Sequence, residues 1–156
     1  MTPDPAPSHK RRVMFLCTGN YYRSRFAEAL FNHHAFQRGL NWTATSRGLA
    51  THLQDGDLSP LTAQALAERT IDLLHTGPTR RAVTLQDFDD ADLIIAMEDR
   101  EHRPYVRQRF PEWEARTLYW DVSDIDFTPW EEALPAIERH VLRLLDELSQ
   151  DEEVQE

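Results

Sequence analysis

The chain has 156 residues, of which 40% are hydrophobic and 28% charged, and its formal net charge is −10. That length suits a domain with a core of its own, and the negative charge argues against nucleic acid as a partner. No apolar run approaches the ~20 residues that a membrane span needs, and we expect no secretory signal and no membrane association. A single cysteine excludes an internal disulfide and predicts a cytoplasmic protein.

We expect one globular domain between two short tails. Residues 1–10 contain three prolines and few apolar groups, which predicts a flexible N-terminal arm. Residues 150–156 are mostly acidic and predict a frayed C-terminal tail. The domain itself is therefore expected to span residues 11–149.

Strand and helix signals alternate along that domain. In chain order they predict strand 12–16, helix 23–38, strand 42–46, helix 60–70, strand 93–97, helix 99–110, strand 116–120 and a last helix from 129 to 148. This alternation is typical of an α/β fold. We therefore predict a doubly wound, four-stranded parallel sheet flanked by helices.

Proline positions refine the helix predictions. Ser59 and Pro60 suit the N-cap and the first helical position. Residues 128–131, Thr-Pro-Trp-Glu, form the pattern of a capping box with proline in its first turn. Because proline lacks the N–H that a helix interior needs, Pro104 predicts an interruption of its helix, and Pro135 predicts a bend or a delayed start.

The loop between the first strand and the first helix, residues 17–24, reads Cys-Thr-Gly-Asn-Tyr-Tyr-Arg-Ser. It places the only thiol at the carboxyl end of a buried strand, where ligands bind in parallel sheets. The thiol also lies at a helix N-terminus, whose free N–H groups attract anions and favour the thiolate. Gly19 and Asn20 tolerate the backbone conformations that let such a loop curl around phosphate oxygens.

The Cys-x5-Arg spacing predicts nucleophilic attack on a phosphoryl group. Arg23 offers a planar fork for two phosphate oxygens while the Cys17 thiolate approaches phosphorus. Ser24 is placed to donate a hydrogen bond to the sulfur. The remaining loop residues are predicted to bind the substrate: Thr18, Gly19, Asn20, Tyr21, Tyr22 and Ser24. The alternative is an ordinary buried cysteine at a strand end.

Residues 13–29 resemble the N-terminal signature of the low-molecular-weight protein tyrosine phosphatases, an apolar strand followed by Cys-x-Gly-Asn-x-x-Arg-Ser and a helix. Ser46 begins a Ser-x-Gly that is similar to the family's second strand end, and residues 92–97 resemble its third strand. The resemblance covers most of residues 12–148. It implies a phosphatase that hydrolyses phosphotyrosine-like monoesters of proteins, or small aryl phosphates, through a phosphocysteine. Inorganic phosphate is the product, and no cofactor or metal is implied.

In that family the general acid is an Asp followed by Pro between the last strand and the last helix. This chain has no Asp-Pro there, but it has Asp121, Asp124 and Asp126. By position Asp124 is the first choice and Asp126 the second, since Asp121 is too close to the strand. Two aromatic residues flank this loop and are further candidates for the rim of the cleft, Phe127 and Trp130.

The departures from the family pattern leave other functions open. The missing Asp-Pro favours, as an alternative, a catalytically weak relative that binds phosphate or phosphoproteins. Arsenate reduction would need an external thiol, because the chain has one cysteine. Relatives that act on phosphoarginine carry threonine at the position of Tyr21, which argues against that substrate.

Six further residues are candidates for the site or for a metal. Tyr21 and Tyr22 either stack on an aromatic leaving group or pack against neighbours. Tyr22 replaces a second cysteine of many relatives, so Cys17 lacks that disulfide protection. Arg25 and Arg47 are expected to be solvated. His33 and His34 complete no set of metal ligands, so we expect no metal.

Overall fold

The computed structural model describes residues 10–155, and its centre is a sheet of four parallel strands. These are β1 (Arg11–Cys17), β2 (Trp42–Gly48), β3 (Leu93–Ala96) and β4 (Leu118–Tyr119), in the order β2-β1-β3-β4. The connection from β1 leads to β2 at one edge of the sheet, whereas β3 and β4 follow on the other side of β1. The carboxyl end of β1 lies at this topological switch point, where ligands bind in open α/β sheets.

The helices alternate with the strands as the sequence predicts, which confirms the α/β fold. Within residues 10–155 they are α1 (Arg23–Arg38), α2 (Pro60–Glu68), α3 (Leu85–Asp90), α4 (Asp99–Arg109) and α5 (Trp130–Gln155). The short helix α3 was not predicted, although Thr84 and Asp87 form a capping box at its start.

Residues 10–155 include no helix that is both long and apolar enough to span a bilayer.

The core has two parts because successive side chains of β1 point to opposite faces of the sheet. Val13 and Phe15 pack with α1, α2 and α5, whereas Met14 and Leu16 pack with α3 and α4. All four side chains are fully buried. Burial on both faces explains why this strand is a continuous apolar run rather than an alternating one.

The predicted interruption at Pro104 is wrong, because α4 is continuous across it. A proline there removes the hydrogen bond to the carbonyl four residues earlier, at Arg100, which lies on the exposed side of the helix. Solvent can satisfy that carbonyl, so the helix need not break. The last helix likewise continues through Pro135, and it begins at Trp130, one residue after the predicted start.

The two predicted tails differ in what the structure describes. The arm at residues 1–10 lies outside the described residues except for Lys10, which is exposed. At the other end α5 continues to Gln155, through most of the segment for which we expected a frayed tail. The backbone N–H of Asn41 donates to the Glu152 carboxylate at 3.2 Å, which links this end of α5 to the start of β2.

We expect Phe88→Ala to lower the free energy of unfolding by about 3–5 kcal/mol, since it empties a buried aromatic site. Phe88 is 0% exposed and lies 4.8 Å from Phe110 between ring centroids. The matched control is Phe36→Ala, because Phe36 is 76% exposed and should change stability by about 0.5 kcal/mol or less. Urea unfolding measures both, and equal shifts of the midpoint would contradict this account of the core.

Candidate active site

The loop that follows β1 opens directly into α1. Tyr22 is the N-cap residue of α1 and makes no side-chain capping bond, and the first turn contains no acidic residue. The N–H groups of that turn therefore keep their partial positive charge beside Cys17. This is the electrostatic setting that the sequence predicted for an anion site.

The end of β2 holds the loop backbone in shape. The N–H groups of Leu49 and Ala50 donate to the carbonyl oxygens of Cys17 and Thr18, each at 2.9 Å. Gly48 permits this approach, since a Cβ there would lie 2.8 Å from the Thr18 oxygen. The glycine of the Ser-x-Gly motif is thus required by packing against the loop.

Asn20 organises the loop from inside. Its backbone has a φ of 53°, in the left-handed region, and its side chain is fully buried. The amide nitrogen donates to the hydroxyl oxygens of Ser24 at 2.9 Å and Ser46 at 3.0 Å, and the amide oxygen accepts from the Arg81 N–H at 2.9 Å. Because the Ser24 oxygen accepts from Asn20, its proton is free for the Cys17 sulfur, 2.9 Å away. Ser24 is therefore placed to donate a hydrogen bond to the Cys17 sulfur.

A buried carboxylate that the sequence analysis missed extends this chain of hydrogen bonds. Ser46 and Thr76 each donate to the same oxygen of Glu28 at 2.7 Å. Burial raises the pKa of Glu28 although these hydrogen bonds oppose the rise. The sequence spacing could have identified Glu28, since it lies four residues after Ser24 and shares its face of α1.

The prediction that Arg25 is solvated is wrong. Arg25 is 2% exposed, and its guanidinium donates to the Thr76 hydroxyl at 2.6 Å and to the carbonyls of Asp57 and Gly77. A buried guanidinium is stable when its N–H groups are bonded, and such partners are distant in sequence. Arg47 is partly buried and its Nε lies 3.2 Å from an Asp87 oxygen.

Arg23 is 2% exposed and is held by two elements. Its Nη1 donates to the Val122 carbonyl at 2.9 Å, and its Nη2 donates to Oε2 of Glu101 at 2.8 Å. Burial opposes the charge, but the hydrogen bond to Glu101 and the negative charges of Cys17 and Glu101 outweigh it and raise the Arg23 pKa. The guanidinium thus stays charged behind the loop.

Glu101 and His102, at the start of α4, were also missed by sequence reasoning. The Thr18 hydroxyl donates to Oε2 of Glu101, and Nε2 of His102 lies 3.2 Å from the same oxygen. The Glu98 N–H donates to Nδ1 of His102 at 3.0 Å, which leaves the ring proton on Nε2. Burial lowers the pKa of His102, so this ring is neutral. Burial opposes the charge of Glu101, but hydrogen bonds from His102 and Arg23 hold its pKa well below the usual range.

Of the three candidate acids, the structure brings Asp124 towards Arg23, with 3.9 Å between Oδ2 and Nη2. Asp121 instead lies 2.9 Å from Nε2 of His140 on α5, and Asp126 is exposed. The carbonyl of Asp124 accepts from the N–H groups of residues 127 and 128 at 2.9 Å, so a hydrogen-bonded turn places this residue without a following proline. Asp124 lines a cavity of about 430 Å³ together with Glu98, Arg100, Glu101, Ser123 and Phe127.

The aromatic candidate residues differ in their exposure to solvent. Phe127 is 82% exposed at the cavity, whereas Trp130 packs against the core. Tyr22 is 6% exposed and belongs to the core, so it packs against neighbours instead of stacking on a ligand. Its hydroxyl is the buried side-chain polar atom without a hydrogen bond in the described part of the chain, and burial raises its pKa to about 12. Tyr21 is partly buried, with its ring beside Gly56.

Comparison with known proteins places this geometry in a family. Residues 12–154 match the family described as low molecular weight phosphotyrosine protein phosphatase. A protein-arginine-phosphatase of Bacillus subtilis strain 168 is 35% identical over 98 residues, which are 63% of this chain and 62% of that relative. An arsenate reductase of Bacillus cereus strain AH187 is 28% identical over 80% of this chain and 84% of its own. The crystal structure of a low molecular weight protein tyrosine phosphatase from T. tengcongensis has a TM-score of 0.76 at 25% identity and covers 88% of this chain and 99% of its own.

We expect Gly48→Ala to weaken binding of inorganic phosphate by about tenfold or more, because the added methyl displaces the loop. Gly39→Ala is the matched control. Gly39 has a φ of 67° and no atom within 4 Å of an added Cβ, so it should cost about 1 kcal/mol of stability and leave phosphate affinity unchanged. Calorimetric titration with phosphate measures both, and equal affinities would refute the role given to Gly48.

Proposed function

The chain belongs to the low molecular weight phosphotyrosine protein phosphatase family, and we propose that it is a cysteine-dependent phosphatase of phosphotyrosine-like monoesters. One observation supports this above all: the Ser24 hydroxyl, its oxygen occupied by Asn20, lies 2.9 Å from the Cys17 sulfur. A sulfur stabilised in this way, beside the uncapped start of α1, is an activated nucleophile in an anion site.

In the first step the Cys17 thiolate attacks phosphorus. An S–P bond forms while the bond from phosphorus to the leaving oxygen breaks. The loop N–H groups and the Arg23 guanidinium stabilise the charge on the equatorial oxygens. Asp124, entering as the carboxylic acid, gives its proton to the leaving oxygen and becomes a carboxylate.

In the second step water replaces sulfur on phosphorus. The Asp124 carboxylate takes a proton from that water, a new P–O bond forms and the S–P bond breaks. Inorganic phosphate leaves, and the thiolate returns to its hydrogen bond with Ser24. No cofactor or metal is needed for this balance of atoms and electrons.

Phosphorylated proteins are the proposed substrates, with small aryl phosphates as simpler ones. Phe127, 82% exposed at the cavity, is placed to contact an aromatic leaving group. We propose a cytoplasmic location, because a lone catalytic cysteine functions in a reducing compartment.

Phosphoarginine is a second candidate substrate. The observation that favours it is the carboxylate lining of the cavity, from Glu98, Glu101 and Asp124, which suits a cationic guanidinium leaving group. The relative from B. subtilis is named for that activity. Arsenate reduction is the activity for which the relative from B. cereus is named. Because this chain has one cysteine, an external thiol would have to resolve the intermediate, which argues against that activity.

We expect Cys17→Ser to abolish hydrolysis of an aryl phosphate while the fold remains intact by circular dichroism. Asp124→Asn should lower kcat/KM by about 10²-fold or more, the usual contribution of a general acid. Asp126→Asn, in the same loop, should retain most activity. Steady-state kinetics from mildly acidic to neutral pH give these values.

Turnover that persists in Cys17→Ser would refute the nucleophile, and a larger loss for Asp126→Asn would reassign the acid. A folded wild-type protein that binds vanadate without turnover would instead indicate a phosphate-binding relative.

The substrate class is tested with peptides that carry phosphotyrosine or phosphoarginine at the same position. We expect kcat/KM to be higher for phosphotyrosine, and Phe127→Ala to lower that value by about tenfold through the lost aromatic contact. Phe36→Ala is the control for loss of an exposed phenylalanine elsewhere. Higher kcat/KM for phosphoarginine would make the second candidate the substrate.

A further inference from the structure

The Glu101 carboxylate joins two halves of the site that are far apart in sequence. One oxygen, Oε2, accepts from the Thr18 hydroxyl and from Nη2 of Arg23, and Nε2 of His102 lies 3.2 Å away. The nucleophile loop and its arginine are thereby fixed to the first turn of α4. Two hydrogen bonds to this oxygen, with His102 Nε2 beside it and bonded to the Thr18 hydroxyl, hold the carboxylate in place.

His102 has its own orientation fixed. Its Nδ1 accepts from the Glu98 N–H, so its single ring proton points towards Glu101 and Thr18. The ring is fully buried. A neutral donor in this place supports the Glu101 carboxylate without adding a second positive charge beside Arg23.

One nitrogen of Arg23 faces two carboxylates at different distances. Nη2 lies 2.8 Å from Glu101 and 3.9 Å from Asp124. In the proposed reaction these two carboxyl groups require different protonation states. Glu101 serves as an anion throughout, whereas Asp124 must hold a proton when the leaving group departs.

We propose that Glu101 is a positioning residue: its carboxylate holds Arg23 against the loop and, by occupying Nη2, keeps that nitrogen from pairing closely with Asp124. This inference rests on the proposed phosphatase function. A full ion pair between Arg23 and Asp124 would stabilise the carboxylate form and oppose proton donation.

The charged and titratable groups around Asp124 come from the start of α1 and from α4. They are Tyr22, which is the N-cap of α1, Arg23 of α1, and Glu98, Arg100 and Glu101 of α4. Glu131 of α5, like Asp124, raises the pKa of Tyr22. Within residues 10–155, Arg23 is the cation that lies within ion-pair distance of Asp124. Its charge is therefore the one that Glu101 must balance.

The test is Glu101→Gln, which removes the charge and keeps the shape. We expect kcat/KM for an aryl phosphate to fall by about tenfold or more, as for loss of a charge-assisted hydrogen bond. The basic limb of the pH profile should move to lower pH, because the unbalanced Arg23 favours a close ion pair with Asp124. Affinity for inorganic phosphate, measured by calorimetry, should also fall.

The direction in which phosphate affinity changes in Glu101→Gln distinguishes loss of charge from displacement of Arg23. Removing a nearby negative charge would by itself strengthen phosphate binding, whereas a displaced Arg23 weakens it. Tighter phosphate binding together with an unmoved basic limb would overturn the proposal. It would indicate that Glu101 competes with phosphate for Arg23.

Three further variants separate contact from charge. Glu101→Asp keeps the charge but retracts it from Arg23, so kcat/KM and phosphate affinity should still fall. Glu98→Gln removes a carboxylate from the same cavity, one bonded to Ser123 instead of Arg23. If it moves the basic limb as far as Glu101→Gln does, loss of charge alone explains the shift and the proposal fails. Asp124→Asn should abolish the basic limb of the pH profile, which shows that this limb belongs to Asp124.

Failure of the proposed phosphatase function can be distinguished from failure of the role proposed for Glu101. It appears as absence of turnover in the wild-type protein, or as turnover that survives Cys17→Ser. Even then the phosphate affinities of the wild type, Glu101→Gln and Glu101→Asp decide whether Glu101 positions Arg23.

Discussion

The side-chain amide of Asn20 is the interaction on which the rest of this site depends. It is fully buried, and both of its polar atoms are bonded, to Ser24, to Ser46 and to the backbone of Arg81. The bonds to the two serines also set the direction of the next hydrogen bonds. Each serine oxygen accepts from Asn20, so its hydroxyl donates to another partner. One proton goes to the Cys17 sulfur and the other to a buried carboxylate. Replacing the amide would remove the hydrogen bond that each of the two buried serine oxygens accepts.

Charge beside the Cys17 sulfur is arranged around the buried guanidinium of Arg23. Arg23 lies near Cys17 and the carboxylates of Glu101 and Asp124, while the start of α1 adds partial positive charge. The chain as a whole carries a net charge of −10. Attraction of a phosphate is therefore local, and the arrangement of a few groups within hydrogen-bond distance matters more than the overall field.

The leaving-group side of the site is built differently from the nucleophile side. Most of the nucleophile loop is buried, with Thr18, Gly19 and Tyr21 partly buried, whereas the loop between β4 and α5 presents exposed side chains beside the cavity. Asp124 is placed there by a turn in which its carbonyl accepts from the N–H groups of residues 127 and 128. A rigid phosphate site joined to an exposed loop allows related chains to share one chemistry and differ in leaving group.

The sequence by itself determined the first strand, the loop 17–24, α1 and the order of the remaining elements, because these depend on consecutive residues and their spacing. It misjudged Pro104 and Arg25, whose outcome depends on which atoms lie beside them. Only the tertiary structure decided that Glu101 meets Arg23, 78 residues away, and which aspartate approaches it. The physical reason is that neighbouring parallel strands deliver distant residues to one edge of the sheet. No periodicity in the sequence records which side chains then touch.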